Sequence, residues 1–317
     1  AGFFILIVFS AFVAYNDIDD GEKSIIFLDG PTGTGKTAIT REITDKLDIP
    51  FTSTSIVNYS ATGYVGGDIT DTLKILYQKA NENLEKAERG IIVFDEFDKI
   101  AYSNTQGLKH GLEMKKAVQQ QLLDFMGGGK YYIKVSKDNQ KIREIEFDTS
   151  KLTFICLAAL SDLRARKTTK KNPIGFTTPS TLTTTDNYSI TPQDLMEIGL
   201  EKELVGRFNT YLHTEEYSKD DLLRILKEST ISPLIGFNRW ISSNDKILQI
   251  EDGVYEEIAN AAYNLDTGAR SLQTIMNNIR TPFIKEVLRG KEKIIYLTQD
   301  IVINVTKNIT NRKIRNV

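Results

Sequence analysis

The chain has 317 residues, enough for two domains with buried cores. Hydrophobic residues make up 40% and charged residues 26%, which is ordinary for a soluble globular protein. The net charge of -2 and the pI of about 5.9 give no basic surplus of the kind that duplex-binding proteins carry. The single cysteine, Cys156, excludes an internal disulfide and a cysteine-based zinc site. Its apolar surroundings predict a buried thiol, and the lack of a second cysteine fits a reducing, cytoplasmic setting.

Residues 1–15, AGFFILIVFSAFVAY, carry no charge. A membrane-spanning helix needs roughly 20 apolar residues, and shorter runs are more typical of buried helices. No basic stretch precedes this run, which argues against a secretory signal. A buried helix is the favoured interpretation, with the end of a membrane anchor as the alternative.

Short apolar runs alternate with helical patterns in the first half of the chain. They predict strands at 24–29, 91–94 and 152–159 and helices at 36–47, 69–88 and 113–126. Strands that alternate with helices predict a parallel sheet covered on both faces, so the predicted fold class is α/β.

Two segments interrupt this alternation. Residues 127–148 read as an inserted hairpin, and residues 164–191, rich in Lys, Thr, Ser and Pro, read as a mobile surface loop. Helical patterns dominate from about Ser218, and a strand-like run at 294–305 follows. The predicted boundaries are a large α/β domain at 1–213, a small, mainly helical domain at 214–305 and a polar, frayed tail at 306–317.

A glycine-rich turn between the first predicted strand and helix matches the pattern G-x-x-x-x-G-K-S/T, with the residues Gly30, Pro31, Thr32, Gly33, Thr34, Gly35, Lys36 and Thr37. Glycines let backbone N–H groups wrap phosphates closely, and the N-terminus of the next helix favours the same anion. Lys36 would place a cation on the outer phosphates, and the Thr37 hydroxyl would bind magnesium. The motif therefore predicts ATP and Mg²⁺ as ligands.

The second predicted strand ends in two carboxylates, Asp95 and Glu96. The carboxyl ends of parallel strands border the nucleotide crevice of such folds. Asp95 would hold the magnesium ion through its water shell, and Glu96 would orient and polarise the attacking water. A solvated acidic loop is the alternative, which the phosphate-loop motif upstream makes less favoured.

These motifs and the segments between them resemble the ClpX branch of the AAA+ ATPases. The similar stretches keep their order and spacing over residues 10–290 and include PFTSTSIVNYSATGYVGGDI, KAERGIIVFDEFDKIA, VQQQLLDFM, DTSKLTFIC, PQDLMEIGLEKELVGRF and TGARSLQ. The resemblance implies an AAA+ α/β domain, a small helical lid domain and a homo-hexameric ring. It also implies an ATPase that unfolds protein substrates.

The resemblance assigns roles to further residues. The family's substrate-gripping pore loop corresponds to Gly63, Tyr64, Val65 and Gly66. Arg207 matches the arginine finger that reaches a neighbouring subunit, and Arg270 matches the sensor arginine of the small domain. The weakest correspondence is at the helix that borders the adenine, with Val13 and Tyr15. Composition alone would make Arg207 and Arg270 ordinary surface charges.

Ile174, Gly175 and Phe176 match the loop with which ClpX docks on the ClpP peptidase. The polar residues around them predict that Ile174 and Phe176 are exposed, which would suit a partner contact. The same tripeptide recurs at 235–237, where no docking loop is expected, so its position carries the assignment. The given residues also depart from the family's pattern: they do not include its zinc-binding domain with four cysteines, residues 157–160 (LAAL) offer no polar sensor, and 127–148 lack a basic tip.

The favoured function is an ATP-driven protein unfoldase that feeds a separate ClpP-type peptidase. A remodelling chaperone without a peptidase differs only at the docking loop. A nucleic-acid motor is disfavoured by the acidic pI and the aromatic pore loop. A self-contained membrane protease would need a motif such as H-E-x-x-H, which two isolated histidines do not supply. Neither nucleic acid nor a membrane is an expected partner.

Overall fold

The computed structural model describes residues 23–59, 69–102, 109–135, 142–169, 190–265 and 267–315. The chain forms two compact units. The first ends at Gly30, resumes at Lys36 and continues to Thr214, whereas the second comprises Pro31–Gly35 and the chain from Glu215.

The first unit is built on a five-stranded sheet. Its strands are β1 (Ile25–Asp29), β2 (Phe51–Ser55), β3 (Ile91–Asp95), β6 (Thr153–Ala158) and β7 (Thr210–His213). They lie in the order β2-β3-β6-β1-β7, and every neighbouring pair is parallel. The predicted α/β fold class is confirmed. The sequence indicated β1, β3 and β6 but not the polar edge strands β2 and β7.

Apolar residues of the central strands supply a core on each face of the sheet. Ile25 and Phe27 of β1 join one buried cluster, and Ile26 and Leu28 join the other. Successive side chains of a strand point to opposite faces, so an uninterrupted apolar run fills both cores. Cys156 lies in the first of these clusters and is fully buried, and burial raises the pKa of its thiol.

Seven α-helices belong to the described part of this unit: α1 (Lys36–Lys46), α2 (Ile69–Lys79), α3 (Leu84–Glu88), α4 (Lys109–Gly127), α5 (Ser161–Thr169), α6 (Pro192–Glu197) and α7 (Lys202–Val205). An antiparallel pair, β4 (Lys130–Val135) with β5 (Arg143–Asp148), follows α4.

One helix prediction and part of one loop prediction were wrong in this unit. The single helix at 69–88 is two helices, because Asn81 and Glu82 adopt positive φ and Asn83 caps α3 by accepting from Lys86 N–H. Residues 164–169, assigned to a loop by composition, belong to α5. The Arg164 N–H donates to the Leu160 carbonyl at 3.0 Å at the start of that helix.

The second unit contains α8 (Lys219–Glu228), α9 (Pro233–Ser242), α10 (Val254–Asn264), α11 (Ala269–Arg289), α12 (Gln299–Arg315) and a parallel pair, β8 (Ile247–Ile250) with β9 (Ile294–Leu297). Its core includes Phe237, Ile258, Leu272, Ile275 and Val302. The strand-like run at 294–305 is therefore a four-residue strand followed by the start of a helix. The tail predicted at 306–317 continues α12 to Arg315.

The apolar run at 1–15, with Val13 and Tyr15, lies outside the described residues. Within the described part of the chain, no helix combines the length and the apolar character that crossing a membrane requires.

Candidate active site

Gly30 follows Asp29, the last residue of β1, and begins the glycine-rich motif. Its N–H donates to the Ala158 carbonyl at 3.2 Å, and its own carbonyl accepts from Lys36 Nζ at 2.6 Å. A Cβ here would lie 2.7 Å from the Thr214 carbonyl oxygen and closer still to its hydroxyl. Only glycine allows such a close approach, so packing fixes the point at which the motif leaves the strand.

Lys36 and Thr37 occupy the first turn of α1, directly after the glycine-rich motif. Thr37 Oγ1 donates to Asp95 Oδ2 at 2.8 Å. Asp95 is the last residue of β3, which is separated from β1 only by β6. Because parallel strands end at the same edge, the sheet brings this carboxylate to the helix that follows β1. The two residues predicted as metal ligands are therefore in direct contact.

Glu96 follows β3 in the left-handed region, with φ of 59°. Its N–H donates to Asp95 Oδ1 at 2.8 Å, and its Oε2 accepts from Ser55 Oγ at 2.6 Å. Ser55 lies opposite Asp95 in the register of β2 and β3. The Glu96 side chain is exposed, so water can reach it. Sequence reasoning missed Ser55, and the alternating run FTSTS is the signal that could have found it.

Residues 31–35 of the glycine-rich motif pack within the second unit. Tyr217 donates its hydroxyl to the Thr34 carbonyl at 2.8 Å, and burial raises the pKa of Tyr217, which keeps it a neutral donor. A cavity of about 330 Å³ opens here, lined by Pro31, Thr32, Thr34, Glu216, Tyr217, Leu222, Ala262, Tyr263, Asn264 and Gly268. The cavity has the size and mixed polar lining of a small-molecule site.

The start of α11 packs on the same loop, backbone to backbone. Ala269 N–H donates to the Gly33 carbonyl at 2.9 Å. Gly268 has φ of 58°, and a Cβ on it would lie 2.7 Å from the Gly33 carbonyl oxygen. Arg270, one residue after Ala269, is in the first turn of α11 and is exposed. The predicted sensor arginine therefore directly follows a residue that contacts the glycine-rich loop.

Arg207 follows α7 in the first unit and is exposed. The segment before it is tied to the segment after Glu96. Buried Gln119 donates to the carbonyls of Ile100 at 2.9 Å and Gly199 at 3.0 Å, and its Oε1 accepts from Glu201 N–H at 2.7 Å. These bonds connect the two chain segments that carry Glu96 and Arg207.

A tyrosine strengthens this connection. Tyr102 donates its hydroxyl to Glu201 Oε1, and burial together with that carboxylate raises the pKa of Tyr102 to about 12. The Tyr102 N–H also donates to the Gly199 carbonyl at 3.2 Å. A rearrangement at either segment would therefore strain hydrogen bonds to the other.

Comparison with known proteins identifies the architecture that carries these contacts. The model of the AAA family, ATPases associated with various cellular activities, matches residues 26–168, and that of the C-terminal D2-small domain of ClpB protein matches 218–296. ClpX 2 of Wolinella succinogenes, an ATP-dependent Clp protease ATP-binding subunit, is 30% identical over 287 residues, which are 89% of this chain and 71% of that protein. The chain belongs to the ClpX family of AAA+ ATPases.

Further relatives support the same assignment. The ClpX subunit of Treponema denticola is 31% identical over 86% of this chain and 69% of that protein. The ClpX subunit of Bacteroides thetaiotaomicron is 30% identical over 88% of this chain and 69% of that protein. The predicted family and the predicted ATPase activity are confirmed. Nucleotide binding, which was also predicted, follows from that activity.

Several residues that the ClpX resemblance singled out lie outside the described part of the chain. They are the pore-loop residues Gly63, Tyr64, Val65 and Gly66 and the docking tripeptide Ile174, Gly175 and Phe176. The second Ile-Gly-Phe tripeptide is described and lies in α9. Phe237 there is buried against Trp240 and Phe283. This copy contributes to the core of the second unit.

Replacing Gly268 by Ala is expected to weaken ATP binding in this ClpX-family chain by about tenfold. The added Cβ would overlap the Gly33 carbonyl, and φ of 58° is unfavourable for alanine, so the glycine-rich loop must shift. The measurement is equilibrium titration with a fluorescent ATP analogue. Gly236→Ala is the matched control, because nothing lies within 4 Å of its Cβ position. Equal affinities in both variants would show that the contact does not shape the loop.

Proposed function

We propose that this chain is an ATP-dependent protein unfoldase and translocase that delivers polypeptide to a separate ClpP-type peptidase. The observation that carries the proposal is the continuous match over 287 residues to proteins named ATP-dependent Clp protease ATP-binding subunit. That match spans both the sheet-containing unit and the helical unit. In this proposal residues 1–213 form the ATPase domain and residues 214–305 form its lid.

ATP turnover is assigned to the edge of the sheet at which β1 and β3 end. Lys36 would place its ammonium on the outer phosphates, with the backbone N–H groups of 32–35 around them. Glu96 would accept a proton from the attacking water. The water oxygen would then bond to the γ-phosphorus while the bond from the γ-phosphorus to the β,γ-bridging oxygen breaks. The Ser55 hydrogen bond at 2.6 Å holds the carboxylate for this task.

Magnesium is the metal that the donor set fits. Thr37 Oγ1 and Asp95 Oδ2 are 2.8 Å apart, so two hard oxygen ligands meet at one point beside the phosphate motif. When bound, Mg²⁺ would neutralise charge on the β- and γ-phosphates. Among the described residues, no cluster of three or more His, Cys, Asp or Glu side chains offers a separate metal site.

The remaining roles require a ring of identical subunits, which we propose to be a homo-hexamer. Arg207 would reach the γ-phosphate held by the adjacent subunit, and its exposed position suits action on a neighbour. Arg270 would contact ATP and couple its hydrolysis to movement of the lid. Tyr64, with Gly63, Val65 and Gly66, would grip the substrate polypeptide, and Ile174, Gly175 and Phe176 would dock on the peptidase.

Tyr64→Ala is expected to leave ATP hydrolysis within about twofold of the parent while unfolding of a tagged, folded reporter falls by tenfold or more, because a broad aromatic face can grip many sequences. The measurement is ATPase rate and loss of reporter fluorescence in one reaction. Tyr64→Phe keeps the ring and should retain most of the unfolding. Undiminished unfolding by Tyr64→Ala would contradict the proposal.

The same assay separates the alternatives. Reporter degradation with added ClpP-type peptidase supports delivery, whereas unfolding without degradation indicates a remodelling chaperone. Stimulation of the ATPase by DNA or RNA, with no response to an unfolded protein, would indicate a nucleic-acid motor. The parent protein must first assemble and unfold the reporter, since only then does the Tyr64 comparison have a reference.

A further inference from the structure

A buried ion cluster joins the ends of β1 and β7 to helix α5, directly before the glycine-rich motif. Asp29, the last residue of β1, has a side chain only 3% exposed. Its Oδ2 accepts from Arg164 Nη2 of α5 and contacts His213 Nδ1 of β7 at 3.0 Å. Arg164 Nε also donates to the Ala159 carbonyl at 3.1 Å. The guanidinium is thus held from two sides, by a carboxylate and by the end of β6.

The cluster supplies polar groups near the end of β6, where the sequence itself has none. Residues 157–160, at the end of β6, are all apolar. Arg164 lies one helical turn beyond them and returns its guanidinium to the strand ends. Burial of an ion is costly without a partner of opposite charge, so the Arg164 guanidinium stabilises the charged form of the buried Asp29 carboxylate.

Lys36 lies close to this buried carboxylate. Its Nζ donates at 2.6 Å to the carbonyl of Gly30, the residue bonded to Asp29. Burial raises the pKa of Asp29, and the charges of His213, Arg164 and Lys36 oppose that rise. The Asp29 carboxylate is therefore a potential partner for the Lys36 ammonium, in competition with bound phosphates.

We propose that Arg164 is a positioning residue for ATP binding. Its guanidinium pairs with the Asp29 carboxylate, so the Lys36 ammonium remains directed to the glycine-rich loop. The inference rests on the proposed role of Lys36 in holding phosphates. Without Arg164, the buried Asp29 carboxylate keeps its contact with His213 and attracts the Lys36 ammonium as a second partner. Lys36 is then displaced from the phosphates, and ATP binds more weakly.

The geometry explains why arginine suits this position. Its planar guanidinium presents several donors at once, which lets it hold Asp29 through Nη2 and the Ala159 carbonyl through Nε. A lysine could supply the charge but not both contacts. Arg164→Lys should therefore preserve part of the function, and an uncharged replacement should not.

The test is a double-mutant cycle with Arg164→Gln, Asp29→Asn and the two combined. Arg164→Gln is expected to raise the Kd and KM for ATP about tenfold with kcat within about threefold, because a binding group is misplaced and the hydrolytic groups are not. The double variant should return the Kd to within about threefold of the parent, since asparagine carries no charge to attract Lys36. Arg164→Lys should fall between the parent and Arg164→Gln.

A purely structural role predicts a different pattern. Breaking the ion pair would then weaken binding at least as much in the double variant as in Arg164→Gln, and such a result would overturn the proposal. So would a parent-like Kd in Arg164→Gln. Arg166→Gln, on the same helix and exposed, is the control and should bind ATP normally. Thermal unfolding of each variant confirms that the compared proteins are folded.

Lys36→Ala separates failure of this proposal from failure of the proposed function. If Lys36→Ala weakens ATP binding but Arg164→Gln does not, Lys36 holds phosphates and Arg164 has no positioning role. If Lys36→Ala binds ATP like the parent, the role assigned to Lys36 is wrong, and the positioning argument fails with it.

Discussion

Glu96→Gln is expected to lower steady-state ATP hydrolysis by at least about a hundredfold while leaving the Kd for ATP nearly unchanged, the size of effect that a positioned general base contributes. Glutamine has the shape of glutamate and keeps an oxygen that can accept from Ser55 Oγ, but it has lost the charge that draws the proton from water. Asp95, Thr37 and Lys36 remain, so phosphate binding persists. The measurements are nucleotide titration and phosphate release on one preparation.

Two controls bracket this result. Glu85→Gln removes an exposed carboxylate on α3 and should hydrolyse ATP like the parent. Lys36→Ala should lose binding itself, since it removes the cation assigned to the outer phosphates. Turnover at the parent's rate in Glu96→Gln would remove Glu96 from the mechanism and leave the left-handed turn after β3 as a purely structural feature.

The sequence indicated the elements that bear the phosphate chemistry because they obey local rules. β1 and β3 are apolar runs that end in glycine or carboxylates, and such runs indicate buried parallel strands. The edge strand β2 escaped notice because its letters, FTSTS, are mostly polar. Its strand form comes from pairing with β3, where Phe51 lies opposite Ile91. That partner is distant in the chain and cannot be read from a short window.

Tertiary packing also decided between helix and strand near the end of the chain. The run at 294–305 is rich in β-branched residues, which favour strands. Val302 nevertheless lies in α12 and is completely buried in the core of the second unit. Burial on one helical face outweighed the weak local preference against helix.

The cluster of Asp29, Arg164 and His213 shows a limit of another kind. Asp29 is separated from Arg164 by 135 positions and from His213 by 184. No motif links the three residues, and each alone reads as an ordinary polar side chain. Only the order of strands in the sheet, with β1 beside β7 and β6, brings them together. Their proximity could therefore be found only from the fold.

Arg207→Ala is expected to reduce ATP hydrolysis by about a thousandfold without weakening ATP binding to the same subunit, as removal of an arginine finger does. Arg207 is exposed, and the Gln119 hydrogen bonds tie its segment to the one that follows Glu96. If the guanidinium acts on ATP bound to a neighbouring subunit, the mutation slows hydrolysis in that neighbour and not in the mutated subunit. Arg224→Ala, which alters another exposed arginine, should hydrolyse ATP normally.

Mixing two inactive variants tests action between subunits. An Arg207→Ala subunit keeps Lys36, and a Lys36→Ala subunit keeps Arg207, so a complete site forms wherever the first binds ATP and the second adjoins it in the required direction. In a ring with head-to-tail interfaces and equal, random mixing, about a quarter of the interfaces have that arrangement. Hydrolysis should therefore recover to a measurable fraction of the parent rate, with its maximum near equal mixing. If co-assembly is demonstrated and no mixing ratio restores hydrolysis, Arg207 does not act on a neighbouring subunit, and its exposed position must be explained by another contact.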